Sequence, residues 1–116
     1  MKQFLIIGVL LTSICLSGCK EEEKKPTLPE EQLIQLLYDV QVAEAALRSV
    51  HTQDKDSLSQ IYYQEVYERH AIHEQDLVDN LNILKENPKL TNKIYKKVLD
   101  FHNEKVKERK ASAKPK

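Results

Sequence analysis

The chain has 116 residues, with 18 basic and 18 acidic side chains and 41% hydrophobic content. That length holds one domain, and the balanced charge gives no general pull toward nucleic acid or an acidic surface. Its two glycines, Gly8 and Gly18, and its two cysteines, Cys15 and Cys19, all lie near the N-terminus. The rest therefore lacks a P-loop, a dinucleotide-binding turn and a nucleophile elbow, each of which needs glycine for close backbone approach. It also lacks any disulfide, thiolate metal site or cysteine nucleophile.

The first stretch reads as a secretory signal over residues 1–18. Lys2 supplies a positive n-region, and Phe4 to Leu16 is an apolar run broken only by Gly8, Thr12 and Ser13. It is shorter than the about 20 residues a helix needs to cross a bilayer, so cleavage is expected rather than a permanent span. Leu16-Ser17-Gly18-Cys19 has the form of a lipoprotein cleavage box: an apolar residue, two small ones that fit a peptidase cleft, and a thiol to carry a thioether. The expected anchor is Cys19 bearing two or three acyl chains, palmitate among them. One chain alone binds a membrane only marginally, and two or more hold firmly.

A tether follows over residues 19–28. Glu21-Glu22-Glu23-Lys24-Lys25 is charged, and Pro26 and Pro29 resist helix. A helical domain is expected over 29–104 and a charged, disordered tail over 105–116. Helix one is expected from Leu28 or Pro29 to about Val50, with Thr27 and Glu30 at capping-box spacing. Leu33, Leu36, Leu37, Val40, Ala43, Leu47 and Val50 recur at three- and four-residue steps. Ile34, Val42, Ala45 and Ala46 widen that stripe.

Ser57 and Gln60 repeat the capping-box spacing for helix two, from Leu58 to about His70, with Leu58, Ile61, Tyr62 and Val66 inward. Helix three is expected from Glu74 to Glu86, burying Leu77, Val78, Leu81 and Leu84. Asn87-Pro88 suits a cap followed by a first-turn proline. Helix four should run from Pro88 to about Glu108 on Leu90, Ile94, Val98 and Phe101. No segment alternates like a strand. The sequence thus predicts an all-α protein, a small three- to four-helix bundle behind a cleaved lipoprotein signal and a short charged tether.

Leu37-Tyr38-Asp39-Val40-Gln41-Val42-Ala43-Glu44-Ala45 is similar to the signature of the small Bacteroidetes lipoproteins classed as domain of unknown function 4296. Val66-Tyr67 leading to His70, then Asn87-Pro88, Leu90, Ile94-Tyr95 and Val98, extend the resemblance over about Pro29 to Phe101. The chain departs from the pattern at Ala71, where glycine is usual, at Leu77 for phenylalanine and at Asn80 for serine. The resemblance implies a lipoprotein with a helical domain and supplies no activity. The acidic run after Cys19 also resembles the surface-export signal of such lipoproteins, and Lys20 is not the aspartate that retains many at the inner membrane. Both imply an outer-membrane location, on the periplasmic face or the cell surface.

Several residues are candidates for chemistry. Asp39 and Glu44 stand about 140° apart on a helix at ~100° per residue, so they cannot act as a pair. Asp39 beside the apolar stripe could accept a hydrogen bond from another helix, such as from a tyrosine. His70 and His73, with Glu74 next, have a spacing that can bind zinc or nickel on a continuous helix. The spacing crosses an expected helix break, and no third ligand is evident. No metal or cofactor is therefore expected. Tyr38, Tyr63 and Tyr67, with Asp39 and Glu44, form the expected partner or ligand surface. The lysines and arginine of the C-terminal end read as a solvated tail.

The functional expectation is a non-enzymatic, membrane-anchored module that binds another envelope protein. A small-ligand or glycan pocket between helices is the alternative, and an enzyme using Asp39, Glu44 or His70 is a third reading.

Overall fold

The structure, a computed structural model, describes residues 18, 22–51 and 53–115. The signal expected before Gly18 and the lipidation expected at Cys19 lie outside the described residues. Among the described residues four helices form: α1 (Glu30–Arg48), α2 (Lys55–His70), α3 (Glu74–Glu86) and α4 (Pro88–Ser112). The protein is all-α, as its periodicity predicts. None of the described helices is long and apolar enough to cross a membrane.

The hub is α1, against which both α2 and α4 pack, while α3 packs on α4. What reads in sequence as one broad stripe on α1 serves two cores. Leu33, Leu37 and Tyr38 meet Leu84, Ile94 and Val98. Leu36, Val40 and Ala43 meet Val66, Ile72 and Leu77. A stripe wide enough to contact two partners explains why leucines sit at both 36 and 37. Leu28, ahead of the helix, packs against both cores. The stripe is narrower than expected at its far end: Val42 is 46% exposed, Ala45 is also exposed, and α1 stops two residues before Val50. The terminal turn folds back, with the Ser49 hydroxyl donating to the Ala46 carbonyl at 2.7 Å.

The helix starts differ from the capping boxes expected. Thr27 does not cap α1; the cap position is Pro29, and the Thr27 hydroxyl accepts from Asn80 instead. Helix α2 begins three residues before Leu58, so Ser57 and Gln60 lie inside its first turns and form no box. On that helix Ile61 is 53% exposed, and Val66 is the buried anchor.

Helix α2 ends in a Schellman turn. The Ile72 N–H donates to the Tyr67 carbonyl at 3.0 Å and the Ala71 N–H to Glu68 at 3.2 Å. Ala71 takes the left-handed conformation, φ 51°, that this turn demands. A Cβ there costs about 1–2 kcal/mol, which glycine would avoid. Ile72 is drawn into the core beside Tyr67.

Helix α3 opens at His73, whose N–H donates to the Asp76 carboxylate at 2.8 Å. Its inward face is Leu77, Asn80 and Leu84, spaced three and four apart. Val78 and Leu81, expected inside, sit one step round at 40% and 36% exposure. A polar residue therefore holds the place that the hydrophobic pattern assigns to its neighbours. Asn87 alone separates α3 from α4, and its side chain accepts from the Leu90 N–H at 3.1 Å ahead of a first-turn Pro88.

Helix α4 does not fray at Lys105. It stays helical through Ser112, because Lys105 lies over the Phe101 ring and pairs with Glu108 at 3.0 Å, and neither glycine nor proline intervenes. At its near end, Lys93 and Lys97 both bind the Glu30 carboxylate, tying α4 to the start of α1. Those two cations hold the Glu30 carboxyl below its usual range.

Candidate functional site: the α1–α2 face

Helices α1 and α2 run in opposite directions, so successive α1 residues meet progressively earlier α2 residues. Asp39 faces the end of α2: its Oδ2 lies 2.8 Å from His70 Nε2 and 3.4 Å from the Arg69 guanidinium. The carboxylate is 16% exposed and the imidazole 8%, whereas Arg69 reaches solvent. Gln32, two turns earlier on α1, donates its amide to the His70 backbone carbonyl at 3.0 Å. This group closes the corner where α2 ends. Asp39 does take a hydrogen bond from another helix, from histidine rather than tyrosine, with arginine beside it as an ion-pair partner. A carboxylate and imidazole shut into a helix junction lock that junction.

Tyr38 is the chief correction to the expected surface. It is 8% exposed and stacks edge-on against Phe101, with centroids 5.1 Å apart and planes at 79°. It belongs to the core and leaves the partner surface to the remaining residues.

Farther along the pair, Glu44 on α1 meets Tyr63 on α2, whose hydroxyl donates to Glu44 Oε1 at 3.1 Å. Tyr67, one turn on, places its ring 6.1 Å from that of Tyr63 at a 41° tilt. Both rings are half-buried, with inner edges against the Leu36–Val66 core. Their outer edges line a surface cleft of about 530 Å³ with Ser59, Gln60, Gln64 and Glu74. Burial, reinforced by the nearby Glu44 carboxylate, pushes the Tyr63 hydroxyl up to about 12. Burial and the Glu74 charge raise Tyr67 as well.

The two histidines stay apart in role. His70 is engaged by Asp39, and His73 starts α3. Among the described residues no three histidine, cysteine or acidic side chains are grouped to hold a metal.

Two participants were not legible beforehand. Glu74 joins the cleft only because the Schellman turn brings the start of α3 back beside Tyr67. Asn80 is fully buried and pins the tether: its Oδ1 accepts from the Thr27 N–H at 3.0 Å, and its amide donates to Thr27 Oγ1 at 2.8 Å and to the Asp76 carbonyl at 2.7 Å. The available signal was an amide three residues after Leu77 and four before Leu84, on the apolar face itself.

The family model described as domain of unknown function (DUF4296) matches residues 25–108. The match takes in the pinned end of the tether, α1 to α3 and α4 as far as Glu108, and the chain belongs to this family. No curated protein matches the chain, and no solved structure does.

Proposed function

We propose that this DUF4296 member is a lipid-anchored, non-enzymatic accessory module of the outer envelope that binds another envelope protein through the Tyr63–Tyr67 face. The observation that carries the reading is that face: two half-buried tyrosines in an open cleft, the first fixed by Glu44. Aromatic side chains held rigid at a surface give large contact area at small entropic cost, which is how interfaces are anchored.

Anchoring rests on the Leu16-Ser17-Gly18-Cys19 box. The structure adds a reason for such an anchor to orient the domain. Thr27 is bound to Asn80, and Lys24 pairs with Glu86 at 3.2 Å, so the tether lies along α3 rather than trailing free. The roughly eight residues from Cys19 to Thr27 span at most ~26 Å at ~3.3 Å each. The bundle would stand close to the lipid, on the periplasmic face or the cell surface.

A non-enzymatic role is supported by where the polar groups are committed. Asp39 holds His70 and Glu44 holds Tyr63, so the three groups proposed for catalysis serve two separate helix contacts. A ligand pocket between helices finds less support, because leucine, isoleucine and valine side chains fill the space around α1.

A photo-crosslinking amino acid in place of Gln64, in intact cells, should yield one discrete adduct that is absent from an equivalent position on the outer face of α4. Adducts spread equally over both positions would overturn the binding face. Mass spectrometry of the processed chain should show acylated Cys19 at the N-terminus. A free thiol there would overturn the anchor.

A further inference from the structure

We propose that the cleft between Tyr63, Tyr67 and Glu74 accepts a basic side chain, an arginine or lysine displayed by the partner protein. This rests on the protein-binding reading above and names the chemistry that face recognises.

Three observations converge. First, the cleft offers aromatic rings inclined at 41° with centroids 6.1 Å apart, and its volume of about 530 Å³ has room for a long side chain. Ring faces attract cations, and a guanidinium also stacks flat on them. Second, carboxylates flank both rings. Glu44 is bonded to the Tyr63 hydroxyl, and Glu74 lines the cleft beside Tyr67. Burial, and after it their charge, raises both hydroxyls. Third, the lining of Ser59, Gln60, Tyr63, Gln64, Tyr67 and Glu74 contains no cation of its own. Arg69, two residues beyond Tyr67, is turned away to Asp39. The Gln64 amide donates to Glu68 at 2.9 Å and carries no charge to set against Glu74. An aromatic cleft with unbalanced acid is complementary to a cation. A neutral sugar would stack on the rings and leave that charge unanswered.

The test titrates the purified full chain in detergent with a hexapeptide of alternating arginine and glycine, following the ring signals of Tyr63 and Tyr67 by NMR. Two comparison probes are the same peptide with citrulline for arginine, which keeps the shape and removes the charge, and a neutral hexasaccharide. The arginine peptide should shift both rings, and citrulline should weaken binding about tenfold or more. Added salt should weaken the arginine peptide alone. Glu74→Gln should weaken it about fivefold with the helix content unchanged, and Tyr67→Ala should weaken it further. Because Tyr67 also packs on the core, Glu74→Gln is the decisive variant. Equal binding of the citrulline peptide, tighter binding of the saccharide, or an unaltered Glu74→Gln titration would each overturn the inference. The Gln64 crosslink separates this result from the reading it rests on. An adduct that excess arginine peptide fails to suppress would defeat the cation and leave the partner. Peptide binding without any Gln64-specific adduct would defeat the partner and leave the cation.

Discussion

Replacing Asn80 with alanine should cost about 2–3 kcal/mol and release the tether. Asn80 is wholly buried, and its amide makes three bonds of 2.7–3.0 Å, with a fourth contact to the Leu28 N–H at 3.4 Å. A typical bond contributes ~0.5–1.5 kcal/mol net, and a buried group left unpaired costs ~1–3 kcal/mol. These do not simply add. The Asp76 carbonyl keeps its place in the helix ladder, and Thr27 is exposed enough to be rehydrated once freed. The residual cost is the loss of the bonds, a small cavity and the weakened packing of Leu28 on both cores. Urea denaturation of the full chain followed by circular dichroism measures the total. Hydrogen exchange at Thr27 and Leu28 localises it, and both amides should lose protection. Asn80→Asp should be about as damaging, because a carboxylate cannot donate to the Asp76 carbonyl. A loss under about 0.5 kcal/mol, or unchanged exchange at Leu28, would refute the claim that this one amide fixes the tether.

Other outcomes follow from the same structure. Ala71→Gly should stabilise by roughly 0.5–1 kcal/mol, since it relieves left-handed strain of about 1–2 kcal/mol and gives back part of that as unfolded-chain entropy; the urea midpoint should rise with an unchanged slope. Asp39→Ala should cost about 2–3 kcal/mol by stranding the buried His70 imidazole, and Asp39→Asn should recover part of it, as read by thermal unfolding. In alkali, the folded state keeps the Tyr63 proton that the unfolded chain has released, so stability should fall as pH rises from 10 to about 12. Tyr63→Phe should make that slope shallower, leaving the share of Tyr67, and should remove a phenolate step at about 12 from the ultraviolet titration.

The fold was largely legible because helices announce themselves through spacing. Leucines and valines three and four apart on α1 fixed its existence, and Asn87-Pro88 marked the α3–α4 junction to the residue. Where residue pattern and outcome differ, tertiary contact decided. Thr27 has the right spacing to cap α1, yet its hydroxyl is worth more to a buried amide that only the packed α3 supplies. Val78 and Leu81 look like core residues until α3 is rotated to bury Asn80. The C-terminal end looks like a solvated tail by charge alone, yet strong helix formers anchored on Phe101 carry α4 on to Ser112.

The candidate site was legible only in part, and for a different reason. Sequence spacing tells which residues share one helix, and it correctly kept Asp39 and Glu44 apart. It does not tell which residue of a second helix stands opposite. That depends on direction and register, set here by Gln32 and Asp39 gripping the last residue of α2. Once that end is fixed, the antiparallel run of the two helices carries Glu44 to Tyr63 one to two turns on, and the turn at Ala71 returns Glu74 to Tyr67. The cleft is thus a consequence of the Asp39–His70 lock some distance away. Disturbing the lock should move the rings without touching them: in Asp39→Asn the Tyr63 and Tyr67 signals should shift while that of Phe101, on α4, stays in place.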